Sequence, residues 1–281
     1  MAKGEGLVIR DITLGQYFVS DSIIHRLDAR AKILLLIYVI VLIFITQNFA
    51  SLLLVTLLTI AIMLLSKIPL NMYFKNIKMI IPIVIFTAVL NVFYTNTGYL
   101  IFEVWNIKVY TGGILRATYM AVRVLLLILT SSVLTYTTTP NDLTDAIERL
   151  LKPLKFIGLG NAVHTMSMMM TIALRFIPTL IEETDKIMNA QKARGADLES
   201  GGLIKKVKSL LPILIPLLIS AVRRAYELAE AMECRCYNGG KGRTRMKELH
   251  MKARDYISFV FFTVFLAVVI LLNIFLNFGV I

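Results

Sequence analysis

Cysteine is almost missing from this chain: only Cys234 and Cys236 occur, separated by one residue. So close a pair gives no disulfide framework. A structural zinc site needs four ligands, and only His250 lies near the two thiols in sequence. His25, His164 and His250 share no metal-ligating spacing. Charge is also sparse, at 17% of 281 residues, with 18 acids against 30 Lys plus Arg. A phosphate-binding P-loop is lacking. The nearest stretch, "NGGKGRT", has Gly242 where Ser or Thr must reach magnesium, and it lacks the upstream glycine. ATP hydrolysis by the chain itself is therefore not expected. The apolar segments hold no Ser/His pair, paired Asp or His-rich zinc motif, which argues against an intramembrane enzyme. The amino-terminal "MAKGEGLVIRDITLGQY" has no short apolar core of a cleaved signal peptide.

Long apolar runs are what the sequence has in abundance. Hydrophobic residues make up 57% of it, too many for an ordinary soluble domain. "KILLLIYVIVLIFITQNFASLLLVTLLTIAIMLLSK" is too long for one span and is broken by Thr46-Gln47-Asn48. It predicts a helical hairpin, starting near Leu27 and ending near Ser66, with Arg30 and Lys32 reaching for the interface. A third span covers roughly Ile77 to Tyr94, with Pro82 in its first turns, where a missing donor does least harm. A fourth covers Ile114 to Tyr136 and a last one Tyr256 to Phe278. "YLIFEVWNIKVY", around Trp105, alternates; it predicts a small strand hairpin or an interfacial aromatic patch. Arg116 and Arg123 share one face of the fourth span, and Arg123 is deep enough to need a partner.

The cations set an orientation. Lys3, Arg10, Arg26, Arg30 and Lys32 precede the first span, and Lys67, Lys75 and Lys78 follow the second. The turn between those two spans carries no charge. The amino terminus and the long basic segment from about Thr139 to Arg254 are then cytoplasmic, and five spans put the carboxyl terminus outside.

That basic segment is structured. "PNDLTDAIERLLKPL" predicts a short amphipathic helix, capped by Asn141 or Asp142 and closed by Pro153, with Leu143, Ile147, Leu150 and Leu151 on one face. Two longer helices follow, about Asn161 to Lys192 and Leu203 to Cys234. Each begins apolar and ends charged, and each holds proline: Pro178 in one, Pro212 and Pro216 in the other. The alternative is seven spans with both long helices crossing. His164 and Arg175 in the first, and two prolines in the short apolar part of the second, argue against it. The fold expected is all-α: a polytopic integral membrane protein with about five spanning helices and a cytoplasmic-side coupling domain of three helices, two of them long and crossing. The expected boundaries are 1–138 for the first four spans, 139–254 for the coupling domain and 255–281 for the last span.

Both long helices end alike. "AQKARGAD", from Ala190, and "AMECRCY", from Ala231, each place Ala-x-x-x-Arg at a helix tail with glycine close behind. An arginine there complements the negative end of the helix dipole and offers a planar fork to a partner's carboxylate or carbonyls. "LGQYFVSDSIIHRLDARAK", "TTTPNDLTDAIERLLKPLK" and the two Ala-Arg-Gly-type ends together resemble the transmembrane, or T, component of energy-coupling factor transporters, the CbiQ/EcfT-like family of ATP-driven importers in prokaryotes. The resemblance covers nearly the whole chain. Gly15, Gln16, Tyr17, Asp21, Ser22, His25, Arg26, Leu27, Asp28, Arg30 and Lys32 match its amino-terminal stretch, with Ala29 where the family usually has proline. Ala193, Arg194 and Gly195 fit the first motif completely. In the second, Cys234 and Cys236 flank Arg235 in place of alanine and glycine, and the cap falls there or as late as Asn238 or Gly239.

The resemblance implies a multi-pass protein of the cell membrane that docks two ABC-type ATPase subunits, Arg194 entering one and Arg235 the other. It also implies one or more small membrane S components that bind the imported vitamin or trace metal. The chain would bind no cofactor of its own, since ATP and magnesium belong to the ATPases, and no nucleic-acid partner is expected. "MSMMM" suggests a soft metal or, better, an adaptable contact surface: Met166, Met168, Met169 and Met170, with Pro178, Pro212 and Pro216, are the expected contacts of the S component. Glu182, Glu183, Asp185, Glu227, Glu230 and Glu233 are read as solvated faces or pairs within the domain. A stand-alone secondary transporter is the competing reading. It calls for repeated halves with broken or charged helices at the midplane, and the first four spans show none.

Overall fold

The structure is a computed structural model, and it describes residues 17–95, 97–104, 107–158, 160–196, 202–239 and 250–275. Gly15, Gln16, Trp105, Asp197 and the "GKGRT" stretch around Gly242 lie outside the described residues. Helices dominate. In chain order they are α1 (Ala29–Ile45), α2 (Phe49–Ser66), α3 (Leu70–Tyr94), α4 (Thr111–Thr137), α5 (Pro140–Leu150), α6 (Gly160–Ala193), α7 (Leu203–Cys234) and α8 (Ala253–Phe275). A short 3-10 helix, Lys152–Ile157, follows α5. The alternating stretch does form a hairpin: β1 (Leu100–Val104) pairs antiparallel with β2 (Ile107–Tyr110).

Two compact units emerge. One runs from the first described residues to Ala146 and is completed by α8; the other runs from Ile147 through α7. In the first, α1 supplies the largest share of the main core. Its Leu35, Val39, Leu42 and Ile43 meet Leu52, Val55 and Leu58 of α2, Tyr119 and Leu126 of α4, and Phe262 and Val269 of α8. α3 packs on α4, where Tyr73 and Tyr136 meet edge to face at 5.6 Å. α1 and α8 run parallel, since Asp28 bonds Asp255, Tyr38 bonds Thr263, and Ile45 accepts from Asn273.

The first hairpin turns where expected. Asn48 opens α2 in a reciprocal cap with Ser51: the Asn48 N–H donates to Ser51 Oγ at 3.2 Å, and that hydroxyl donates back to the Asn48 carbonyl at 2.8 Å. Arg123 finds its partners here. It donates to the Thr46 carbonyl at 2.7 Å and to the Tyr119 hydroxyl at 3.1 Å, and it lies over the Tyr119 ring. The partner is thus the carbonyl end of α1 rather than an acid.

Two starts differ from expectation. α3 begins at Leu70, so Pro82 lies well inside it rather than in its first turns. Pro69 sets that start: it stands at the N-cap, and its carbonyl takes the Met72 N–H at 3.0 Å. The polar residues read as loop are helical, and Asn76 bonds Ser132 of α4 at 3.1 Å. α5 is capped by Thr139 rather than by Asn141 or Asp142. The Thr139 hydroxyl takes the Asp142 N–H and donates back to the Asp142 carboxylate, with Pro140 in the first helical position.

Among the described residues, five helical stretches are long and apolar enough to cross a membrane: Phe49–Ser66, Leu70–Tyr94, Thr111–Thr137, Val207–Cys234 and Ala253–Phe275. The number matches the sequence reading but the membership does not. α1, with 17 residues, is shorter than these, about 26 Å at ~1.5 Å per residue. α7 qualifies because its helix continues unbroken through Pro212 and Pro216, which joins the apolar part to the turns on either side.

Candidate functional site

The second unit is built on the pair α6 and α7. Antiparallel pairing shows in the partners: residues late in α6 meet residues early in α7. The Gln191 amide donates to the Pro212 carbonyl at 3.4 Å. Arg224 donates to Glu183 at 2.9 Å, and the Ser220 hydroxyl donates to the same carboxylate. The Tyr237 hydroxyl, just past α7, reaches Met168 Sδ at 2.9 Å. The Gln191 bond has a direct cause. Pro216 has no N–H, so the Pro212 carbonyl one turn earlier is left without its helical donor, and the Gln191 side chain supplies another.

Ser220's hydroxyl, and after it the Arg224 guanidinium, hold the Glu183 carboxyl below the usual carboxylate range. Glu183 is thus a pair within the domain. His164 meets Glu148 of α5 at 3.2 Å.

The two helix ends are closed by the same device. At the first, Arg194 is the last half-helical residue and Gly195 turns left-handed at φ 84°. The Gly195 N–H returns to the Lys192 carbonyl at 3.0 Å and the Ala196 N–H to the Gln191 carbonyl at 3.0 Å. At the second, Arg235 is the C-cap and Cys236 turns left-handed at φ 53°. The Cys236 N–H returns to Glu233 at 2.8 Å and the Tyr237 N–H to Met232 at 3.0 Å. These two reversed bonds satisfy carbonyls that a helix end leaves open. The cap thus falls at Arg235, not at Asn238 or Gly239, and Cys236 takes the conformation that Gly195 takes. A thiol side chain bears strain there that glycine does not.

Ala193, Arg194, Gly195, Cys234, Arg235 and Cys236 are all exposed, and both cysteines are free thiols. Because the pair is antiparallel, the two arginines stand at opposite ends of it. The levels of the Gln191 and Met168 bonds are about 35 Å apart at ~1.5 Å per residue.

The expected S-component residues divide. Met166, Met169 and Met170 are exposed, as are Pro178, Pro212 and Pro216, whereas Met168 is engaged by Tyr237 beside the second helix end. Sequence reasoning missed a larger feature. α7 turns one narrow face inward, with Ile213 at 6% exposure, and leaves Leu210, Leu214, Ile215, Leu218, Ile219 and Val222 open, Leu218 at 63%. That outer stripe recurs at three- and four-residue intervals, a signal the two prolines obscured.

Residues 20–246 match the family model described as CbiQ, cobalt transport protein. Curated relatives match over most of their length. The energy-coupling factor transporter transmembrane protein EcfT of Clostridium kluyveri is 52% identical over 252 residues, 89% of this chain and 93% of the relative. Proteins of the same name from Ruminiclostridium cellulolyticum and Bacillus subtilis are 49% and 44% identical, covering 95% and 86% of this chain and 98% and 91% of their own.

Proposed function

Because the chain belongs to the CbiQ/EcfT family of membrane transporter components, we propose that it is the coupling subunit of an energy-coupling factor importer. It holds two ABC-type ATPases by its helix ends and passes the work of ATP hydrolysis to a substrate-binding S component. The observation that carries this reading is the duplicated helix end. One cap geometry presents one arginine at each end of an antiparallel pair, about 35 Å apart. That spacing suits two separate partners, one per arginine. Held together, the two attachments reinforce each other through effective concentration.

The exposed apolar stripe of α7, with Met166, Met169 and Met170, supports a second contact for a small hydrophobic protein. Adaptable side chains there favour a module shared among several S components over a dedicated one. The cargo, a vitamin or a trace metal, is recognised by the S component. The distribution of cations supports a cytoplasmic amino terminus, and the parallel α1 and α8 then put the carboxyl terminus outside.

The test is capture of the tagged chain from its native membranes in mild detergent, with mass spectrometry of its companions. Two P-loop ATPases and one or more small hydrophobic proteins are expected. Recovery of the chain alone, where control complexes stay intact, would sink the reading. Replacing Met166, Met169 and Met170 with Ile should reduce capture of the small partners more than that of the ATPases; equal loss would remove the methionines' separate role.

A further inference from the structure

The chain passes between the two units twice, once within α5 between Ala146 and Ile147 and once between α7 and α8. Within the first unit, both passages are gripped by one short stretch, Phe18 to Lys32. Before the first passage, α4 ends at Thr137, and Lys32 Nζ donates to the Thr137 carbonyl at 2.7 Å. The Phe18 N–H donates to the adjoining Tyr136 carbonyl at 2.9 Å, and His25 ties the Phe18 carbonyl at 3.0 Å. After the second passage, Asp255 caps α8 by taking the Lys252 N–H at 2.7 Å. Its other oxygen takes the Asp28 N–H at 3.0 Å. Asp28 in turn caps α1 and pairs with Arg30 at 3.0 Å.

The chemistry of the grip is costly for packing alone. Lys32 is 8% exposed and Asp255 2%. Both hydrogen-bond acceptors of Lys32 are backbone carbonyls, of Thr137 and His25. Among the described residues its bonds go to these carbonyls, while the Asp142, Asp255 and Asp28 carboxylates attract it without bonding it, and the ammonium still forfeits solvation that a methionine in its place would not. What a lysine does and a methionine cannot is hold the end of α4 by a charge-assisted bond. α4's last carbonyl stands three residues before Pro140, so the bond fixes where α5 departs.

We infer that the Phe18–Lys32 stretch with Asp255 is a clamp through which movement of the α5–α7 segment is delivered to the membrane helices, Lys32 and Asp255 being positioning residues. This rests on the coupling function proposed above. A clamp that holds both passages from one point makes the segment's two roots move together with α1. If either root were loose, displacement of α6 and α7 would be absorbed in the connecting chain.

The test uses the whole importer, with its ATPases and S component, reconstituted in vesicles. Lys32→Met, Lys32→Arg and Asp255→Asn are compared with the unmodified complex. Three quantities are read: assembled complex, ATP hydrolysed, and radiolabelled riboflavin, biotin, folate or cobalt accumulated, whichever the unmodified complex takes up. ATP-dependent uptake by that complex carries the functional reading, and only the variants' ratio to it carries the clamp. Lys32→Met and Asp255→Asn should assemble and hydrolyse ATP normally while uptake per ATP falls by roughly tenfold, within the range that coupling mutations give. Lys32→Arg should restore most of it. Unchanged uptake per ATP would overturn the clamp. So would loss of the assembled complex in both variants, which would make these residues elements of folding and not of transmission.

Discussion

The first unit and the long helix pair are held together in different ways. Around α1, side chains from α1, α2, α4 and α8 close on one another, and Leu42, Ile43 and Val55 are sealed completely. In α6 and α7, Ser167 and Ile213 are the buried residues among those described, and much of the apolar surface is open. The pair is instead pinned by spaced polar contacts: Gln191 to Pro212, Glu183 to Ser220 and Arg224, and Met168 to Tyr237. One unit has finished its core. The other has no such closed core among its described residues and is kept in register by directional bonds, which fix a geometry without closing a surface.

The contrast breaks most sharply at the arginines. Arg194→Glu with Arg235→Glu should abolish ATPase capture while leaving membrane insertion intact. Removing one arginine from a buried, hydrogen-bonded charge pair costs about 2–5 kcal/mol of binding. Retention of both ATPases by the double variant would show that these residues have another role.

Next comes a matched pair of truncations. Leu42→Ala in the closed core should destabilise the chain by about 2–5 kcal/mol. Leu218→Ala on the open face of α7 should change it by less than about 0.5 kcal/mol. It should nonetheless weaken capture of the small hydrophobic partner. Unfolding in detergent and co-purification, read side by side, distinguish the two.

Acid should loosen the pair selectively. A carboxyl held below its ordinary value contributes stability that is present above that value and is lost as pH falls through the folded one. Glu183's ordinary value is 4.5, so its tie to Ser220 and Arg224 is complete above this and fades below it. Protection of α6 and α7 amides, taken relative to the intrinsic exchange rate at each pH, should fall in that acidic range and should fall at neutral pH in Glu183→Gln. Identical exchange in the variant would remove Glu183 from the pairing.

The smallest effects lie at the caps. Gly195→Ala should cost roughly 1 kcal/mol at its left-handed position, and Cys236→Gly should gain a few tenths of a kcal/mol at the equivalent one. Fraying of each helix end by amide exchange reads both. Opposite signs support the equivalence of the two caps; equal signs break it.

What was legible in the sequence was local. The hairpin at Thr46-Gln47-Asn48 and the limits of α6 and α7 follow from composition and spacing, which act over a few residues. Arg194 and Arg235 are visible as helix ends for the same reason. The start of α3 was missed by about two turns and the cap of α5 narrowly, because Pro69 and Thr139 outrank polar residues that look like loop or cap. The grip of Lys32 on Thr137 and of Asp28 on Asp255 joins residues far apart in the chain. No periodicity encodes such a partner. The amino-terminal charges read as interfacial cations and as family signature, and only the fold shows what Lys32 and Asp28 hold.

The place of α8 has a consequence for synthesis. Phe262 and Val269 belong to the same apolar core as Leu35 and Leu42, yet they are translated after the whole of α5, α6 and α7. The ribosome therefore delivers the first four helices with one wall of their bundle missing. The long pair is made during that interval, and the bundle closes when the final helix inserts beside the first. A chain truncated before Ala253 would leave Leu35, Leu42 and Asp28 facing a gap, and quality control would meet the first four helices as an unfinished bundle.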